Sequence, residues 1–325
     1  MTEKVKACYK DMIYSVSAKT NACNGFKFAV VTDSHLDNSE DDTFQNIRAV
    51  DCETGYRCLI HLGDFLNGNL PRHYTKNILS DRMKRYKAAV SSGVFYPVQG
   101  NHDGFADMIT HQICNVALNS DWCEATEFID NDARAVREKN KPYFYVDFKE
   151  EKLRFIILCT FYNEGNLEEG DFEKIYGTDD AQVKWFKERA LDVDRDTTVL
   201  IFSHDTPFER FDSKACIDNP RPNGNELMEI LKDMSVKRDF KIAAWFAGHF
   251  HGDYIGTVNG INFVLVGSQT AYVPALWDMP DGGYYADREL DSSSEDLWDS
   301  VVIDKENRKI RLFRFGAGYD RELDY

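Results

Sequence analysis

Short apolar runs that each stop at a polar residue or a glycine recur along this chain, and they predict the strands of a sheet. Phe26 to Thr32, Arg57 to Leu62 and Val94 to Val98 have the length and composition of buried strands. Between them, residues 42–52 and 75–90 have the spacing of amphipathic helices. This β-α-β-α-β order predicts a sheet with parallel neighbours and covering helices.

The second half of the chain continues the same alternation. Strands are predicted at Tyr143–Phe148, Leu153–Thr160, Thr198–Phe202 and Ile242–Ala247. Helices are predicted over residues 179–191, with Thr178 or Asp179 as N-cap, and through Leu227, Ile230, Leu231 and Met234. Two hairpins complete the pattern, one turning at Asn259-Gly260 and one running from Ser300 to Phe315.

Four segments have weaker patterns. For residues 1–25 the pattern predicts no helix or strand. A helix is expected from about residue 105 to 117, and the residues from there to Lys141 are interpreted as an inserted loop. Residues 281–300 carry seven acidic side chains and one arginine, which favours a solvated loop over a strand. No repeat or linker divides the chain, so we expect one domain over residues 1–325, with a core at about 26–267 and a loop and hairpin extension at 268–325.

Composition narrows the classes of partner and the compartment. The 325 residues include 39 Lys plus Arg against 55 Asp plus Glu, a net charge of −16. Such a chain repels polyphosphate backbones, which disfavours long nucleic acid as a partner. Eight scattered cysteines without CxxC pairing are typical of reduced thiols. With neither a signal-peptide pattern nor a membrane-span pattern, we expect a cytoplasmic protein without membrane contact.

Asp, Asn and His side chains follow five of the predicted strands. They are Asp33, His35, Asp64, Asn101, His204, His249 and His251. Asp33 and His35 are two residues apart, as are His249 and His251, so each pair leaves an extended strand end on one side. Carboxylate, amide and imidazole ligands together suit Mn, Fe, Zn or Co, and the lack of a thiol argues against a structural zinc site.

Seven potential ligands exceed the needs of one ion, and two ions that share the Asp64 carboxylate would use them all. Two divalent cations roughly 3.5–4 Å apart can hold a hydroxide between them and clamp the attacking and departing oxygens of a phosphoryl group. The chain has no GxSxG or GxxxxGK[ST] motif. We therefore predict a metal-dependent phosphoric ester hydrolase that works by in-line attack of this hydroxide, without a protein nucleophile.

The two residues after Asn101 are the candidates for proton transfer. His102 is expected to face away from the metal ligands and to protonate the leaving alkoxide. Asp103 is expected to orient this imidazole and to raise its pKa.

In order, D-x-H at 33–35, GD at 63–64, GNHD at 100–103, a lone His204 and GHFH at 248–251 resemble the motifs of the calcineurin-like metallophosphoesterase superfamily. The resemblance spans roughly residues 28–267. It implies an α/β fold in which two mixed β-sheets pack as a sandwich flanked by helices, with the metal site at the strand ends. It also implies that Asp33, His35, Asp64 and His251 hold one metal, that Asp64, Asn101, His204 and His249 hold the other, and that His102 acts on the leaving group.

Two features depart from the family pattern. Asn67 stands where many members have a carboxylate. No tyrosine lies three residues after Asp64, which speaks against the purple acid phosphatase branch.

The sequence leaves the substrate open, and we expect a small phosphomonoester or phosphodiester such as a nucleotide. The alternatives are a non-catalytic scaffold that keeps the fold, or a nuclease that uses the same site and that the net charge disfavours. Residues 205–224 could line the substrate pocket or simply connect two elements. The aromatic residues Tyr272, Trp277, Tyr284 and Tyr285 could stack a base or pack in the core. His61 is interpreted as a core histidine, and His73 and His111 as surface residues.

Overall fold

The computed structural model describes residues 5–35, 42–68, 72–104, 119–161, 176–208, 220–271, 279 and 281–325. The strands are β1 (Phe26–Val31), β2 (Cys58–His61), β3 (Phe95–Pro97), β4 (Ala135–Arg137), β5 (Phe144–Phe148), β6 (Leu153–Ile157), β7 (Thr198–Phe202), β8 (Lys241–Ala247), β9 (Tyr254–Val258), β10 (Ile261–Leu265), β11 (Leu297–Asp304), β12 (Lys309–Gly316) and β13 (Arg321–Asp324). The α-helices are α1 (Lys10–Asn21), α2 (Thr43–Thr54), α3 (Arg72–Ala89), α4 (Asn101–Gly104), α5 (Asn119–Ala125), α6 (Asp180–Trp185) and α7 (Gly224–Arg238).

The strands form two mixed sheets. The first has the order β13-β12-β11-β1-β2-β3, in which β1, β2 and β3 run parallel and β11 pairs with β1 antiparallel. The second has the order β4-β5-β6-β7-β8-β10-β9, in which β6, β7, β8 and β10 run parallel. The β9–β10 hairpin turns at Asn259 and Gly260, whose φ angles of 52° and 80° fit a type I′ turn.

Aromatic side chains join the two sheets into one sandwich. Phe28 of β1 lies 5.4 Å from Phe155, 6.1 Å from Phe202 and 6.3 Å from Phe246, measured between ring centroids. Two further clusters of buried side chains cover the outer faces, one with α1, α2 and α3 on the first sheet and one with α6 and α7 on the second. The layers are therefore helix, sheet, sheet and helix, which confirms the predicted fold class.

Most predicted elements are confirmed within one to three residues. The helix predicted over residues 179–191 is α6 continued by a π-helix at Phe186–Ala190, and the other differences fall in the weakly patterned segments. Residues 10–21 form α1, which buries Val16, Ser17 and Thr20 although polar residues interrupt its apolar positions. The expected inserted loop contains α5 and β4. The expected helix at 105–117 lies outside the described residues.

The prediction that the acidic segment 281–300 is wholly a solvated loop is wrong. Its last residues form the start of β11, and Asp299 is fully buried there because two arginines bond to its carboxylate. The hairpin predicted from Ser300 to Phe315 is confirmed as β11 and β12, and β13 adds an unexpected third strand. That the whole chain forms one domain stays a prediction. Among the described helices, none has both the length and the apolar character that crossing a membrane requires.

Replacement of Phe28 by alanine tests the contact between the sheets. We expect the free energy of unfolding to fall by about 3–5 kcal/mol, because a fully buried ring is lost from the centre of the sandwich. Urea denaturation followed by circular dichroism measures the change. Tyr14→Ala is the control, since this ring is 78% exposed and its loss should change stability by less than about 0.5 kcal/mol. Equal effects of the two substitutions would contradict the assignment of Phe28 to the core.

Candidate metal centre

The carboxyl ends of β1, β2, β3, β7 and β8 meet at one edge of the sandwich and bring the seven predicted ligands together. All seven are buried. Ligand atoms lie within 4.8 Å of one another in three overlapping groups, Asp33–His35–His251, His35–Asp64–His102 and Asp64–His204–His249. We call Asp33, His35 and His251 the first cluster, and Asp64, Asn101, His204 and His249 the second cluster.

The first cluster is built around one oxygen of Asp33. Its Oδ2 accepts hydrogen bonds from the Thr32 hydroxyl at 2.8 Å and from the His249 amide at 3.0 Å. Its Oδ1 is buried and accepts no hydrogen bond from a described residue. This oxygen lies 3.4 Å from His251 Nε2 and 3.9 Å from His35 Nε2. Three potential ligand atoms therefore face one small volume.

Hydrogen bonds and close polar contacts orient the imidazole rings of the second cluster. His204 donates from Nδ1 to the Leu62 carbonyl at 2.8 Å, which leaves Nε2 facing the cluster. This Nε2 lies 3.1 Å from Asp64 Oδ2 and 3.1 Å from Asn101 Oδ1. The same amide oxygen lies 3.1 Å from His249 Nδ1.

Asp64 stands between the two clusters. Its Oδ1 accepts a hydrogen bond of 2.8 Å from the His102 amide. Its Oδ2 lies 3.1 Å from His204 Nε2 and 3.9 Å from His35 Nε2. One carboxylate oxygen therefore faces rings of both clusters.

The backbone at these positions is unusual. Asp33, His35, Asp64, His249 and His251 all have left-handed conformations, with φ between 48° and 66°. Such a conformation costs an L-residue on the order of 1–2 kcal/mol, so the surrounding structure must hold it in place. The strands end in sharp turns, and each turn directs a polar side chain into the centre.

Two motif glycines leave room for these turns. A Cβ at Gly100 would overlap the Asp64 carboxylate, and a Cβ at Gly248 would overlap the Thr32 hydroxyl and lie 2.7 Å from Asp33 Oδ2. Glycine is therefore needed before Asn101 and before His249 because a ligand side chain occupies the adjoining space.

The buried charges shift the pKa values of the cluster strongly. Burial raises the pKa of Asp33, but His204 and His251 outweigh burial and hold it below its usual value. Burial likewise opposes the ionised form of Asp64, and His204 and His102 hold its pKa well below the usual range. Burial lowers the pKa of His204, but Asp64 and Asp33 raise it to about 10. Two buried carboxylates therefore demand positive charge between them.

The structure corrects the expected role of Asp103. Its carboxylate accepts hydrogen bonds from the amides of Asp64 at 2.9 Å, Phe65 at 2.7 Å and Gly100 at 2.9 Å. The His102 ring instead donates from Nδ1 to the Asn67 carbonyl at 2.6 Å. Asp103 therefore holds the backbone turns that carry Asp64 and Asn101. Its carboxylate oxygens are occupied by amides of these turns. The residue at position 67 thus bears on the site through its main chain.

His102 faces the centre and not away from it. Its Nε2 lies 3.8 Å from Asp64 Oδ2, and its ring centroid lies 4.7 Å from that of His35. Its side chain is 20% exposed, whereas those of His35 and His251 are 5% exposed. His102 is therefore placed at the open side of the centre, where a ligand from solvent can reach it.

His61 has the core position that the sequence indicates. It is fully buried, stacks on Phe65 at 3.6 Å between centroids and lies with Nε2 2.7 Å from the Ser34 hydroxyl. Ser34 also bonds to Tyr86, and Gln269 bonds to both hydroxyls. This polar network fixes the turn between Asp33 and His35. His73 is exposed as expected, and His111 lies outside the described residues.

Three residues near the second cluster were not singled out from the sequence. The Phe161 ring lies 5.5 Å from that of His204 and 5.0 Å from that of Tyr176. The Arg221 guanidinium lies 4.5 Å from the Tyr176 ring centroid and donates from Nε to the buried Asp205 carboxylate at 2.8 Å. Its charge contributes to lowering the pKa of His249, after burial and His204. Their separation in sequence gives no local signal of this grouping.

The segments named as possible substrate contacts are described only in part. Asp205 is buried against Arg221, and residues 209–219 lie outside the described residues. Tyr284 packs on Tyr319, with ring centroids 5.4 Å apart, and its main chain pairs with Asp253. Tyr272 and Trp277 lie outside the described residues.

A family model described as calcineurin-like phosphoesterase matches residues 26–253. The chain belongs to this family. None of the curated proteins matches the chain. The predicted superfamily is thus confirmed, and divalent metal binding is a property that the family implies.

The chain is also similar to a number of solved structures. GAP50, the anchor in the inner membrane complex of Plasmodium, is 12% identical over 92% of this chain and 88% of that chain, with a TM-score of 0.48. The phosphopantetheinyl hydrolase of Mycobacterium tuberculosis is 12% identical over 75% and 90%, with a TM-score of 0.41. Vps29 of Entamoeba histolytica complexed with Zn²⁺ is 11% identical over 92% and 97%, with a TM-score of 0.32. At such low identities, these similarities concern the fold alone.

The residues present fit divalent cations. The bare Asp33 Oδ1 is a buried anionic acceptor without a hydrogen-bond donor among the described residues. The His204 ring donates from Nδ1 to a backbone carbonyl, so its neutral form would present an unprotonated Nε2 to an ion. Oxygen and imidazole donors together match borderline ions such as Mn²⁺, Fe²⁺ and Zn²⁺.

Metal binding should release a proton from His204. Because the ion-free pKa of this ring is raised to about 10, it is protonated at pH 7, and a metal ligand must be neutral. Apparent affinity should therefore rise about tenfold per pH unit up to about pH 10. His35 contributes no proton, since burial and His102 lower its pKa to about 3.

Calorimetric titration with Mn²⁺ in buffers of different ionisation enthalpy counts the released protons. The His204→Asn variant is the control, because the share that belongs to this ring disappears in it. The same proton release in wild type and variant would contradict the assignment.

Proposed function

We propose that this protein is a dinuclear metal-dependent phosphoesterase that hydrolyses a small phosphomonoester or phosphodiester. The observation that carries this proposal is the position of Asp64 Oδ2, which faces His204 of the second cluster and His35 of the first. An oxygen in this position could contribute to both ion sites if two cations bind. Membership of the calcineurin-like phosphoesterase family supports the reaction class.

Two ions would share these protein ligands, with Asp64 common to both sets. Asp33, His35, Asp64 and His251 would hold one, and Asp64, Asn101, His204 and His249 the other. When bound, a pair of divalent cations lowers the pKa of a water molecule and neutralises charge on a phosphoryl group. Mn²⁺, Fe²⁺ and Zn²⁺ are the proposed ions, since the donors are imidazole, carboxylate and amide oxygen.

His102 is proposed to protonate the leaving oxygen. Its Nδ1–H is fixed on the Asn67 carbonyl at 2.6 Å, so the ring presents Nε2 to the centre. This Nε2 lies 3.8 Å from Asp64 Oδ2. The His102 side chain is more exposed than that of the neighbouring His35. A proton on Nε2 would therefore lie at the open side of the centre, from where it could pass to the leaving alkoxide.

Arg221 lies near the second cluster, with its guanidinium over the Tyr176 ring, whose centroid lies 6.2 Å from that of His249. Its guanidinium donates from Nε to the Asp205 carboxylate, and among the described residues none accepts from its terminal nitrogens. We propose that it contacts the phosphoryl group and not the leaving alcohol.

The acidic body limits the substrate to a small ester. A net charge of −16 opposes long nucleic acid, so a nucleotide is favoured over a polymer. The free thiols of the described residues suit a reducing compartment, and the cytoplasm is the proposed location.

Asp64→Asn tests the proposed function. Loss of a residue that only supports a metal ligand lowers metal affinity roughly 10- to 100-fold. We expect a larger loss of affinity for both ions in Asp64→Asn, because Asp64 would contact both. Metal content by elemental analysis and turnover of p-nitrophenyl phosphate and its bis ester measure the two effects. Asp233→Asn is the matched control, since this carboxylate is exposed on α7. Activity that survives complete metal removal in the wild type would rule the proposal out.

His102→Gln tests the proton transfer. Turnover should fall by about 10²–10⁴ with an alkyl phosphate and by less with p-nitrophenyl phosphate, whose leaving group needs no proton. Metal content should stay at the wild-type value. His73→Gln is the control because His73 is exposed. A parallel loss of metal would show instead that His102 is a ligand, consistent with its position near His35 and Asp64.

These measurements also decide between the alternatives. A wild-type protein that binds metal but cleaves no member of a phosphate-ester panel would favour the scaffold. Nicking of plasmid DNA in Mn²⁺ would favour the nuclease.

A further inference from the structure

Two arginines and two aspartates form an ionic network beside the metal centre, in which Arg314, Asp253 and Asp299 are buried and the side chain of Arg321 is 9% exposed. Arg314 donates from Nη1 and Nη2 to Asp253 at 2.9 and 2.6 Å, and from Nε and Nη2 to Asp299 at 2.9 and 3.1 Å. Its remaining N–H donates to the Ala317 carbonyl at 3.2 Å. Arg321 bonds to the same two aspartates. Two positive and two negative charges therefore balance inside the protein.

Replacement of Arg314 by lysine would remove hydrogen bonds from this network. All five N–H donors of its guanidinium are used, and an ammonium group has three donors without the planar fork. Burial opposes its charge, but Asp253 and Asp299 keep the pKa of Arg314 above its usual value, so the charge is permanent. Loss of one member leaves an uncompensated buried charge.

Asp253 connects this network to the first cluster. It lies two residues after His251, and its carboxylate also accepts the Gly267 amide at 3.1 Å. The next residue, Ser268, donates its amide to the His251 carbonyl at 3.1 Å and its hydroxyl to the Asp33 carbonyl at 2.9 Å. The main chain of both Asp33 and His251 is thus held from the segment that Asp253 fixes.

The second cluster is joined to the first by one hydrogen bond and has two anchors of its own. The His249 amide donates to Asp33 Oδ2, the Gly248 amide donates to the His204 carbonyl at 2.9 Å, and His204 donates to Leu62. None of these bonds includes Asp253 or Arg314. A disturbance of the buried network should therefore affect the two clusters unequally.

We propose that Arg314, which lies on β12, is a positioning residue for the ion of the first cluster. It acts through Asp253, which accepts the Gly267 amide and so fixes the segment whose Ser268 amide donates to the His251 carbonyl. This inference rests on the proposed metal centre. It extends the functional unit beyond the matched residues 26–253 into the β11–β12 hairpin.

The test compares metal binding in Arg314→Lys and the wild type. Protein stripped with a chelator is titrated with Mn²⁺ by calorimetry, and Co²⁺ absorption reports the ligand geometry of each bound ion. We expect two binding steps in the wild type. In Arg314→Lys one step should weaken about 10- to 100-fold while the other stays within about threefold. His251→Gln identifies the step that belongs to the first cluster.

Arg154→Lys is the matched control. Arg154 is also buried, donates from Nε and Nη2 to Asp147 at 2.6 and 2.7 Å, and donates from Nη1 to the carbonyls of Ala190 and Asp192 at 3.0 Å each. It lies near the amino end of β6, at the opposite end of the sheet from His204. Both lysine variants should lower the melting temperature, but only Arg314→Lys should weaken an ion.

The outcomes separate this inference from the proposed function. A wild type that binds no Mn²⁺ overturns both. A wild type with two steps, and an Arg314→Lys variant that keeps both or weakens both equally, overturns the positioning role alone. Should Arg314→Lys fail to fold by circular dichroism, Arg321→Lys replaces it with the same expected selective loss, and retention of both ions in that variant overturns the inference.

Discussion

Two buried carboxylates lie close together with imidazole rings between them, and the other features of the centre depend on the need to neutralise their charge. Asp33 and Asp64 are almost completely buried, so their charge must be neutralised nearby. In the ion-free protein the imidazolium of His204 supplies part of that charge, which is why its pKa rises. Metal cations would neutralise the same carboxylates through shorter contacts and would engage more of the surrounding ligands. The arrangement is therefore poised for metal because it is electrostatically incomplete without positive charge.

The sandwich itself is a condition of this arrangement. Asp33, Asp64 and Asn101 follow strands of the first sheet, while His204 and His249 follow strands of the second. The clusters form only where the two sheets are packed and in register. The aromatic contacts of Phe28 hold the two sheets together, and the bonds from His204 to Leu62 and from His249 to Asp33 join the sheets at the centre itself.

The sequence predicts the parts of the molecule that local patterns determine. Apolar runs that stop at Gly63, Gly100 and Gly248 locate both the strands and the ligands that follow them. The predicted partner of His102 is wrong, because chain proximity favours Asp103 and the fold brings the Asn67 carbonyl to the ring. Arg221 and Arg314 escape prediction for a similar reason. Each gains its meaning from a contact with a residue far away in the chain, and one sequence carries no sign of that contact.

The pairing of β1 with β11 joins Phe26 to Ile303, residues that are far apart along the chain. The first ligand-bearing strand therefore keeps an uncovered edge during synthesis until β11 has left the ribosome. Closure of such a long loop is slow. A chain truncated before β11 would leave this edge of β1 open to pairing with other molecules, so β11 closes an edge as well as extending the sheet.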